Sequence, residues 1–383
     1  MGIRALAESV PVHANYAPEV TYGMSDPEQH IAEPAYDVAD EYRPEPPAPP
    51  KAPAWMDGSL RIGIHTSIAG DIVQALDIAH RIGANAVQIF SSSPRMWVRP
   101  QGGSRIASAD ATRFIERRAA LGLGPVVIHS NYLINLASPE RVLRTRSMQA
   151  FHDEIVRAMS LNADFLVIHP GSTRGGDRRS GVSMIAEGLR QAVRGLRFSG
   201  NLRILLENTS GQGSSIGGYF QELQAIIEAC PGIPLGVCID VAHLFQFGHD
   251  LRTAEGLEAV MQKIETNLGL HQVYLVHAND SKTPLGSKID RHDHIGKGKI
   301  GLEAFERIMT HPLLKGRPFI LETPIEKAGD DARNVATLWK LAGFPISPPR
   351  KKGSRVRTKK AKRSGASSRP KKKTARKQPT KRK

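Results

Sequence analysis

The stretch Val273–Gly301, VYLVHANDSKTPLGSKIDRHDHIGKGKIG, joins a short apolar run to a loop that is rich in histidine and aspartate. The apolar run Val273–Val276 is typical of a buried strand. His277 follows it directly, and further along the loop Asp290 and His292 share one side of an extended segment, because alternate residues point the same way. The pattern indicates a strand that ends at a metal-binding loop.

The same unit recurs along the chain, because short apolar runs alternate with amphipathic helical patterns. The runs predict strands at Arg61–Ile64, Ala86–Phe90, Pro125–Ile128, Phe165–Ile168, Leu202–Leu206, Leu235–Ile239, Val273–Val276 and Pro318–Leu321. Helices are predicted between them, near residues 69–82, 107–121, 139–160, 180–197, 218–229, 253–268, 302–309 and 327–341. Eight strand–helix units in about 290 residues match a (β/α)8 TIM barrel of the α/β class. A doubly wound open sheet is the alternative, but no GxGxxG or GxxxxGKS/T phosphate loop follows any run.

A histidine or a carboxylate is the first polar residue after nearly every predicted strand. These residues are His65, His129, His169, Glu207, Asp240, His277 and Glu322. The carboxyl ends of barrel strands meet at one mouth, where active sites of this fold lie. Histidine and carboxylate without cysteine suit zinc, manganese or iron. With His243, Asp290 and His292 there are enough ligands for two or three metals, the usual arrangement for phosphodiester cleavage.

The net charge of +16 is unevenly distributed. Residues 1–58 carry ten acidic and three basic side chains, whereas residues 350–383 carry 18 Lys and Arg and no acid. Both ends bury too little apolar surface to fold alone. We expect a disordered acidic leader at 1–58, a barrel domain at 59–346, and a disordered basic tail at 347–383 that binds nucleic acid non-specifically.

The composition also indicates the cellular compartment of the protein. The chain has two cysteines, no apolar stretch of eighteen residues and no apolar signal-peptide core near its N-terminus. These features predict a reducing cytoplasm and no association with a membrane. We further expect a monomer that is associated with the nucleoid. The basic runs of the tail also match short nuclear-localisation patterns, which would apply in a eukaryotic source.

Longer motifs follow one another along residues 60–343. They are His129-Ser-Asn-Tyr-Leu-Ile-Asn-Leu, His169-Pro-Gly-Ser, Glu207-Asn-Thr-Ser-Gly-Gln-Gly, Cys238-Ile-Asp-Val-Ala-His243, Asp250-Leu-Arg-Thr, Asp290-Arg-His292 with Gly-Lys-Gly-Lys-Ile-Gly, and Leu321-Glu322-Thr. Together they resemble the endonuclease IV family, the zinc-dependent apurinic/apyrimidinic (AP) endonucleases of base-excision repair. The resemblance covers the whole predicted barrel.

The resemblance implies three zinc ions per chain. The implied ligands are His129, His169 and Glu207 for the first, Glu207, Asp240, His277 and Glu322 for the second, and His243, Asp290 and His292 for the third. Glu207 and Glu322 are the expected catalytic carboxylates. His65 matches a mouth residue that is not a ligand in the family, and we expect it to contact DNA together with Arg95, Tyr132 and Leu133.

The implied reaction is hydrolysis of the phosphodiester bond 5′ to an abasic site in duplex DNA, leaving a 3′-hydroxyl and a 5′-deoxyribose phosphate. Removal of 3′-blocking groups would use the same site. One alternative is a sugar isomerase or epimerase, which would not require His243, Asp290 and His292. Another is a nucleoid-binding barrel that has lost its activity, against which the full ligand set argues.

Overall fold

A closed barrel of eight parallel strands forms the centre of the computed structural model, which describes residues 56–97, 106–198 and 200–344. The strands are β1 (Ile62–Thr66), β2 (Ala86–Phe90), β3 (Val126–His129), β4 (Phe165–Ile168), β5 (Arg203–Glu207), β6 (Leu235–Asp240), β7 (Val273–His277) and β8 (Phe319–Leu321). Each strand pairs with the next in this order, and β8 pairs with β1. The predicted barrel is confirmed, with each strand within two residues of its predicted bounds.

Nine α-helices lie in the described ranges, and eight of them correspond to predicted helices. They are α1 (Ile72–Arg81), α2 (Ser108–Leu121), α3 (Arg141–Ser160), α4 (Arg178–Ala192), α5 (Phe220–Glu228), α6 (Val241–Phe247), α7 (Ala254–Asn267), α8 (Leu302–Thr310) and α9 (Asp330–Leu341). The unpredicted helix is α6, VAHLFQF, which follows β6 without a break. Its residues 241–246 are all buried, so no amphipathic period marks it.

Local capping sets several helix starts. Asp71 accepts a hydrogen bond from the backbone N–H of Val73 at the start of α1, and Asp177 accepts one from Ser180 at the start of α4. Such side-chain acceptors satisfy backbone donors that have no partner inside the helix. Asp240 caps α6 in the same way, so the residue that ends β6 also begins the helix behind it.

Two apolar layers hold the barrel together. The larger one packs the outer faces of the strands against the helices. The smaller one fills the barrel interior and consists of Ala86, Val127, Phe165, Val167, Leu205, Cys238, Leu275 and Ile320. Because the interior is packed below, the carboxyl ends of the strands are where the barrel opens into a site.

The predicted leader and tail lie outside the described residues, apart from residues 56–58. Their disorder and the boundaries at 59 and 346 therefore stay predictions. None of the helices in the described part of the chain combines the length and the hydrophobicity of a membrane span.

Gly63 marks a point where the barrel interior has no room for a side chain. It pairs with Ile320 of β8 on one side and Ala86 of β2 on the other. A Cβ at this position would lie 2.4 Å from Ile320 Cδ1 and 2.7 Å from the backbone carbonyl of Ala86. The backbone atoms cannot yield as a flexible side chain can, so glycine is needed here for space.

We expect Gly63→Ala to lower the free energy of unfolding by about 1–3 kcal/mol, the usual cost of overpacking a core. Gly316→Ala is the matched control, because nothing lies within 4 Å of a Cβ built at this exposed turn, and its effect should stay within about 0.5 kcal/mol. Denaturant titration measures both variants. Equal stability of the two would contradict the steric role of Gly63.

Candidate metal centre

A cavity of about 820 Å³ opens at the carboxyl ends of the barrel strands. Its lining includes His65, His129, His169, His243, Asp290 and Glu322. The sequence places all of these at predicted strand ends or in loops after them, and barrel closure brings them to one mouth. Within the described residues, three groups of histidines and carboxylates there have the spacing that a metal ion requires.

The first group is His129, His169 and Glu207, from the ends of three consecutive strands, β3, β4 and β5. Nε2 of His129 lies 3.3 Å from Oε2 of Glu207, and Nε2 of His169 lies 3.2 Å from the same oxygen. His129 and Glu207 are buried, whereas the His169 side chain is 37% exposed and borders the cavity. One carboxylate oxygen thus faces two imidazole nitrogens from neighbouring strands.

The second group is Glu207, Asp240, His277 and Glu322. Nδ1 of His277 lies 2.9 Å from Oε1 of Glu207, 3.3 Å from Oε2 of Glu322 and 4.0 Å from Oδ2 of Asp240. Glu207 therefore takes part in both groups, with Oε2 toward the first and Oε1 toward the second. This is the bridging position that the resemblance implies for it.

The third group is Asp240, His243 of α6 and His292 of the loop after β7, and the predicted ligand Asp290 lies beside it without being one of the three. Nε2 of His243 lies 3.2 Å from Asp290 Oδ2, and Nε2 of His292 lies 3.5 Å from Asp290 Oδ1. Asp240 completes the group, since its Oδ2 is 3.8 Å from His292 Nε2. All nine predicted ligands thus converge, with Asp240 between the second and third groups.

Hydrogen bonds on the far side of each ring orient three of these histidines. Nδ1 of His129 donates to the backbone carbonyl of Ser130 at 2.8 Å, and Nδ1 of His243 donates to that of Asn208 at 2.9 Å. His292 is held similarly, with Nδ1 3.3 Å from the carbonyl oxygen of Glu322. A proton on Nδ1 leaves the lone pair of Nε2 directed at the carboxylates, as a metal ligand requires.

The residues present fit a divalent metal. The buried Nε2 atoms of His243 and His292 have no hydrogen-bond partner among the described residues, although carboxylates surround them. Buried polar atoms without partners are costly, and a bound cation would satisfy both. Imidazole nitrogen and carboxylate oxygen without thiolate are a donor set that zinc accepts.

Burial and charge act in opposite directions on the protonation of the cluster. Burial alone raises the pKa of Glu207, but the imidazole of His277 and its neighbours outweigh burial and hold that pKa well below its usual range. Burial alone lowers the pKa of His243, yet the charges of Asp240 and Asp290 bring it well above the usual value. Protonated imidazoles thus balance the carboxylates, a task that passes to metal ions when these displace the protons.

The loop after β7 is held in place by Asp280. Its carboxylate accepts hydrogen bonds from five backbone N–H groups at distances from 2.8 to 3.3 Å. The donors are Ser281, Gly296, Gly298, Ile300 and Gly301. A short antiparallel pairing of Asp280–Ser281 with His292–Asp293 closes the loop on itself. Asp280 is therefore part of the loop scaffold, and the pairing brings His292 over the mouth.

Three of the four residues that we expect to contact DNA lie in two neighbouring loops at the cavity, which Tyr132 lines. Arg95 is exposed in the loop after β2, and Tyr132 is 61% exposed beside the half-buried Leu133 in the loop after β3. Asn131 joins these loops, since its amide donates to the carbonyls of Ser93 and Met96 while its oxygen accepts the N–H of Leu133. The two loops therefore form one connected edge.

His65 lies deeper than the rim, on β1. Its ring is next to Phe90 and faces Glu322, with Nδ1 3.8 Å from the carboxylate. Its Nε2 is a buried atom without a hydrogen-bond partner in the described part of the chain. It is close to the second group of ligands but belongs to none of the three.

Sequence patterns missed three buried amide residues that support the ligands. Gln88 contacts His277 and Glu322, the backbone carbonyl of Asn208 accepts from His243 Nδ1, and Asn279 donates to Asp240. Gln88 was open to detection, because it is a polar residue inside the otherwise apolar strand Ala86–Phe90.

Comparison with known proteins agrees with the resemblance. A family model described as a xylose isomerase-like TIM barrel matches residues 76–340. A protein of Solibacter usitatus named "Probable endonuclease 4" is 45% identical over 294 residues, covering 76% of this chain and 99% of that protein. The crystal structure of endonuclease IV from Thermus thermophilus matches with a TM-score of 0.65 at 36% identity, over 74% of this chain and 99% of that one.

A D-tagatose 3-epimerase-like protein also matches, with a TM-score of 0.54 over 74% of this chain and 97% of that one. At 18% identity this likeness shows the fold alone. The barrel fold is thus shared with an epimerase-like protein. An identity of 45% over nearly the full length of a relative, in contrast, is found with an endonuclease 4. The chain belongs to the endonuclease IV family.

Proposed function

We propose that the chain is a zinc-dependent AP endonuclease that hydrolyses the phosphodiester bond 5′ to an abasic site in duplex DNA. The products are a 3′-hydroxyl and a 5′-deoxyribose phosphate, and the same site removes 3′-blocking groups. The convergence of three metal-spaced groups at one barrel mouth is the observation that carries the proposal. The match to endonuclease 4 relatives over nearly their whole length supports it.

Three Zn²⁺ ions would be held by the three groups. The proposed ligand sets are His129, His169 and Glu207, then Glu207, Asp240, His277 and Glu322, and finally His243, Asp290 and His292. When bound, zinc supplies Lewis-acid activation of water and neutralises the charge that develops on the phosphate and the leaving oxygen. The residues themselves fix where that chemistry occurs.

Glu207 and Glu322 are the proposed catalytic carboxylates. Glu207 is fully buried and fixed between His129, His169 and His277, so it cannot move toward a substrate. The Glu322 side chain is 16% exposed and borders the cavity. Its carboxylate accepts a hydrogen bond from the attacking water and orients that water toward phosphorus, which is a positioning contribution.

The rim selects damaged DNA by shape. An abasic nucleotide has lost its stacking and pairing, so its extrusion into the cavity costs little free energy. Arg95, Tyr132 and Leu133 enter the duplex at the gap and replace the lost contacts. Burial and the neighbouring carboxylates raise the pKa of Tyr132 to about 12, so its ring contacts the bases as a neutral phenol. His65, below the rim, contacts the extruded phosphodiester.

The tail and the setting complete the proposal. Residues 350–383, with 18 Lys and Arg, bind DNA phosphates without regard to sequence and raise the local concentration of the barrel on DNA. We place the enzyme, as a monomer, in the cytoplasm on the nucleoid. A nuclear location applies if the source is a eukaryote.

Glu207→Gln should abolish incision, because it removes the charge that two ligand groups share. We expect a loss greater than the about 10–100-fold that follows from removing an outer-shell partner. The assay uses duplex DNA with one stable abasic analogue, with zinc counted in the same sample. Glu187→Gln, an exposed change on α4, is the control. If the wild-type protein binds three zinc ions and leaves the DNA intact, the proposed nuclease activity is refuted.

His292→Ala should lower the zinc content from three ions to two, since His292 belongs to the third group and not to the first. His80→Ala, at an exposed position on α1, should leave the content unchanged. Metal analysis after gel filtration, with circular dichroism to verify folding, measures both. A folded His292→Ala protein that retains three zincs would contradict the assignment of the third site.

Truncation after residue 349 should weaken binding to undamaged duplex at low salt by at least about tenfold and flatten its salt dependence, because phosphate contacts are lost. Incision at saturating substrate should change little, since no cavity residue is removed. A tail of the same composition in scrambled order is the control, and it should restore binding. Unchanged non-specific affinity of the truncated protein would rule out the tethering role.

A further inference from the structure

We infer that Gln88 is a positioning residue that fixes the hydrogen-bonding state of the proposed ligands His277 and Glu322 and of the neighbouring His65. Gln88 lies on β2 and has no exposed surface. Its amide contacts residues of three other strands, His65 on β1, His277 on β7 and Glu322 beyond the end of β8. The inference deepens the proposed function, because it specifies how ligands of the second zinc are prepared.

The contacts of Gln88 involve both ends of its amide. Nε2 lies 2.5 Å from Oε1 of Glu322 and 3.0 Å from Nδ1 of His65. Oε1 lies 2.9 Å from Nε2 of His277. Two N–H groups and one carbonyl thus have one partner each, so the amide uses both of its donors and one lone pair.

Glu322 determines which way round the amide lies. A carboxylate oxygen at this distance accepts hydrogen bonds and repels another oxygen, so the nitrogen of Gln88 must face it. The carbonyl oxygen of Gln88 then points at His277. The orientation follows from chemistry and does not depend on telling nitrogen from oxygen by shape.

His277 is the histidine that most needs this contact. His129 and His243 donate through Nδ1 to backbone carbonyls and present Nε2 to the centre. His277 is reversed, because its Nδ1 faces Glu207 and Glu322. Without a further contact, a neutral imidazole in this position would keep its proton on Nδ1, next to two carboxylates. Nδ1, the nitrogen that faces the centre, would then have no lone pair for a metal.

The carbonyl oxygen of Gln88 accepts a hydrogen bond from Nε2 of His277 and therefore favours the tautomer that carries its proton on Nε2. The backbone carbonyls that accept from His129 and His243 fix the tautomers of those rings in the same way. In His277 the free nitrogen, available to a metal, is Nδ1. The same amide occupies Oε1 of Glu322, so that Oε2 remains directed at the second group, 3.3 Å from His277 Nδ1. One side chain thereby prepares two ligands.

The second N–H of Gln88 sets the state of His65. Because it donates to Nδ1, the His65 proton must lie on Nε2. That atom is buried and has no partner among the described residues, and its ring borders the cavity. His65 is therefore prepared as a hydrogen-bond donor to an anionic oxygen of the substrate.

The test compares Gln88→Met, which keeps the length of the side chain and removes its polar group, with Ile89→Ala. Ile89 is the next residue on β2, so its side chain points to the opposite face of the strand from Gln88, and it is buried in the apolar layer between strands and helices. Gln88→Ala is the second variant if Gln88→Met does not fold. Thermal unfolding measures the stability of each protein.

The first readout is stepwise zinc release to a chelator of known zinc affinity. We expect one zinc to bind about 10–100-fold more weakly in Gln88→Met, the usual loss when an outer-shell partner is removed. Ile89→Ala should keep wild-type zinc affinity despite its lower stability. Unchanged zinc release in Gln88→Met, or equal weakening in Ile89→Ala, would overturn the inference.

The second readout is the tautomer of His65, from nitrogen chemical shifts of protein labelled on histidine, with His65→Asn for assignment. We expect a single Nε2–H tautomer in the wild type and a loss of that preference in Gln88→Met. An unchanged tautomer would overturn the inference. This readout needs no zinc, so a wild-type protein that binds no metal would refute the proposed function and still leave Gln88 open to test.

Discussion

One buried carboxylate constrains the whole structure. Glu207 has no exposed surface, and its two oxygens face His129 and His169 on one side and His277 on the other. A buried ion without partners costs several kcal/mol, so the strand ends that supply these partners must stay together. Barrel closure meets this requirement, because it brings β3, β4 and β7 around the end of β5. The centre and the barrel therefore depend on each other.

The residues that stabilise the barrel and the residues of the candidate site lie in different parts of it. Below the mouth, small and large side chains fill the interior, and at Gly63 even a methyl group does not fit. Above the mouth, loops carry Arg95, Asp290 and His292, and polar residues hold these loops. Asn131 joins the rim loops and Asp280 gathers the loop after β7. Rigid packing below thus fixes the strand ends, while hydrogen bonds above position the loops that carry the proposed ligands and DNA contacts.

Much of this could be predicted from the sequence. Strands and the polar residues at their ends are marked by short apolar runs, so the placement of Glu207 and His277 follows from pattern and barrel geometry. The helix α6 was missed because all but its last residue are buried, which removes the polar face that a helical period needs. Gln88 was missed because its three partners lie 23, 189 and 234 residues away. Contacts of that range exist only once the barrel has closed.

The same reasoning explains why the fold alone does not specify the reaction. An epimerase-like protein with 18% identity has a similar barrel, so strand ends at a common mouth are available to different chemistries. The first two ligand groups come almost entirely from such strand ends. The third combines Asp240, at the end of β6, with His243 of α6 and His292 of the loop after β7, two segments that lie above the barrel. The strand count does not reveal these two segments, and the candidates His243, Asp290 and His292 had to be recognised from the residues of the loops themselves.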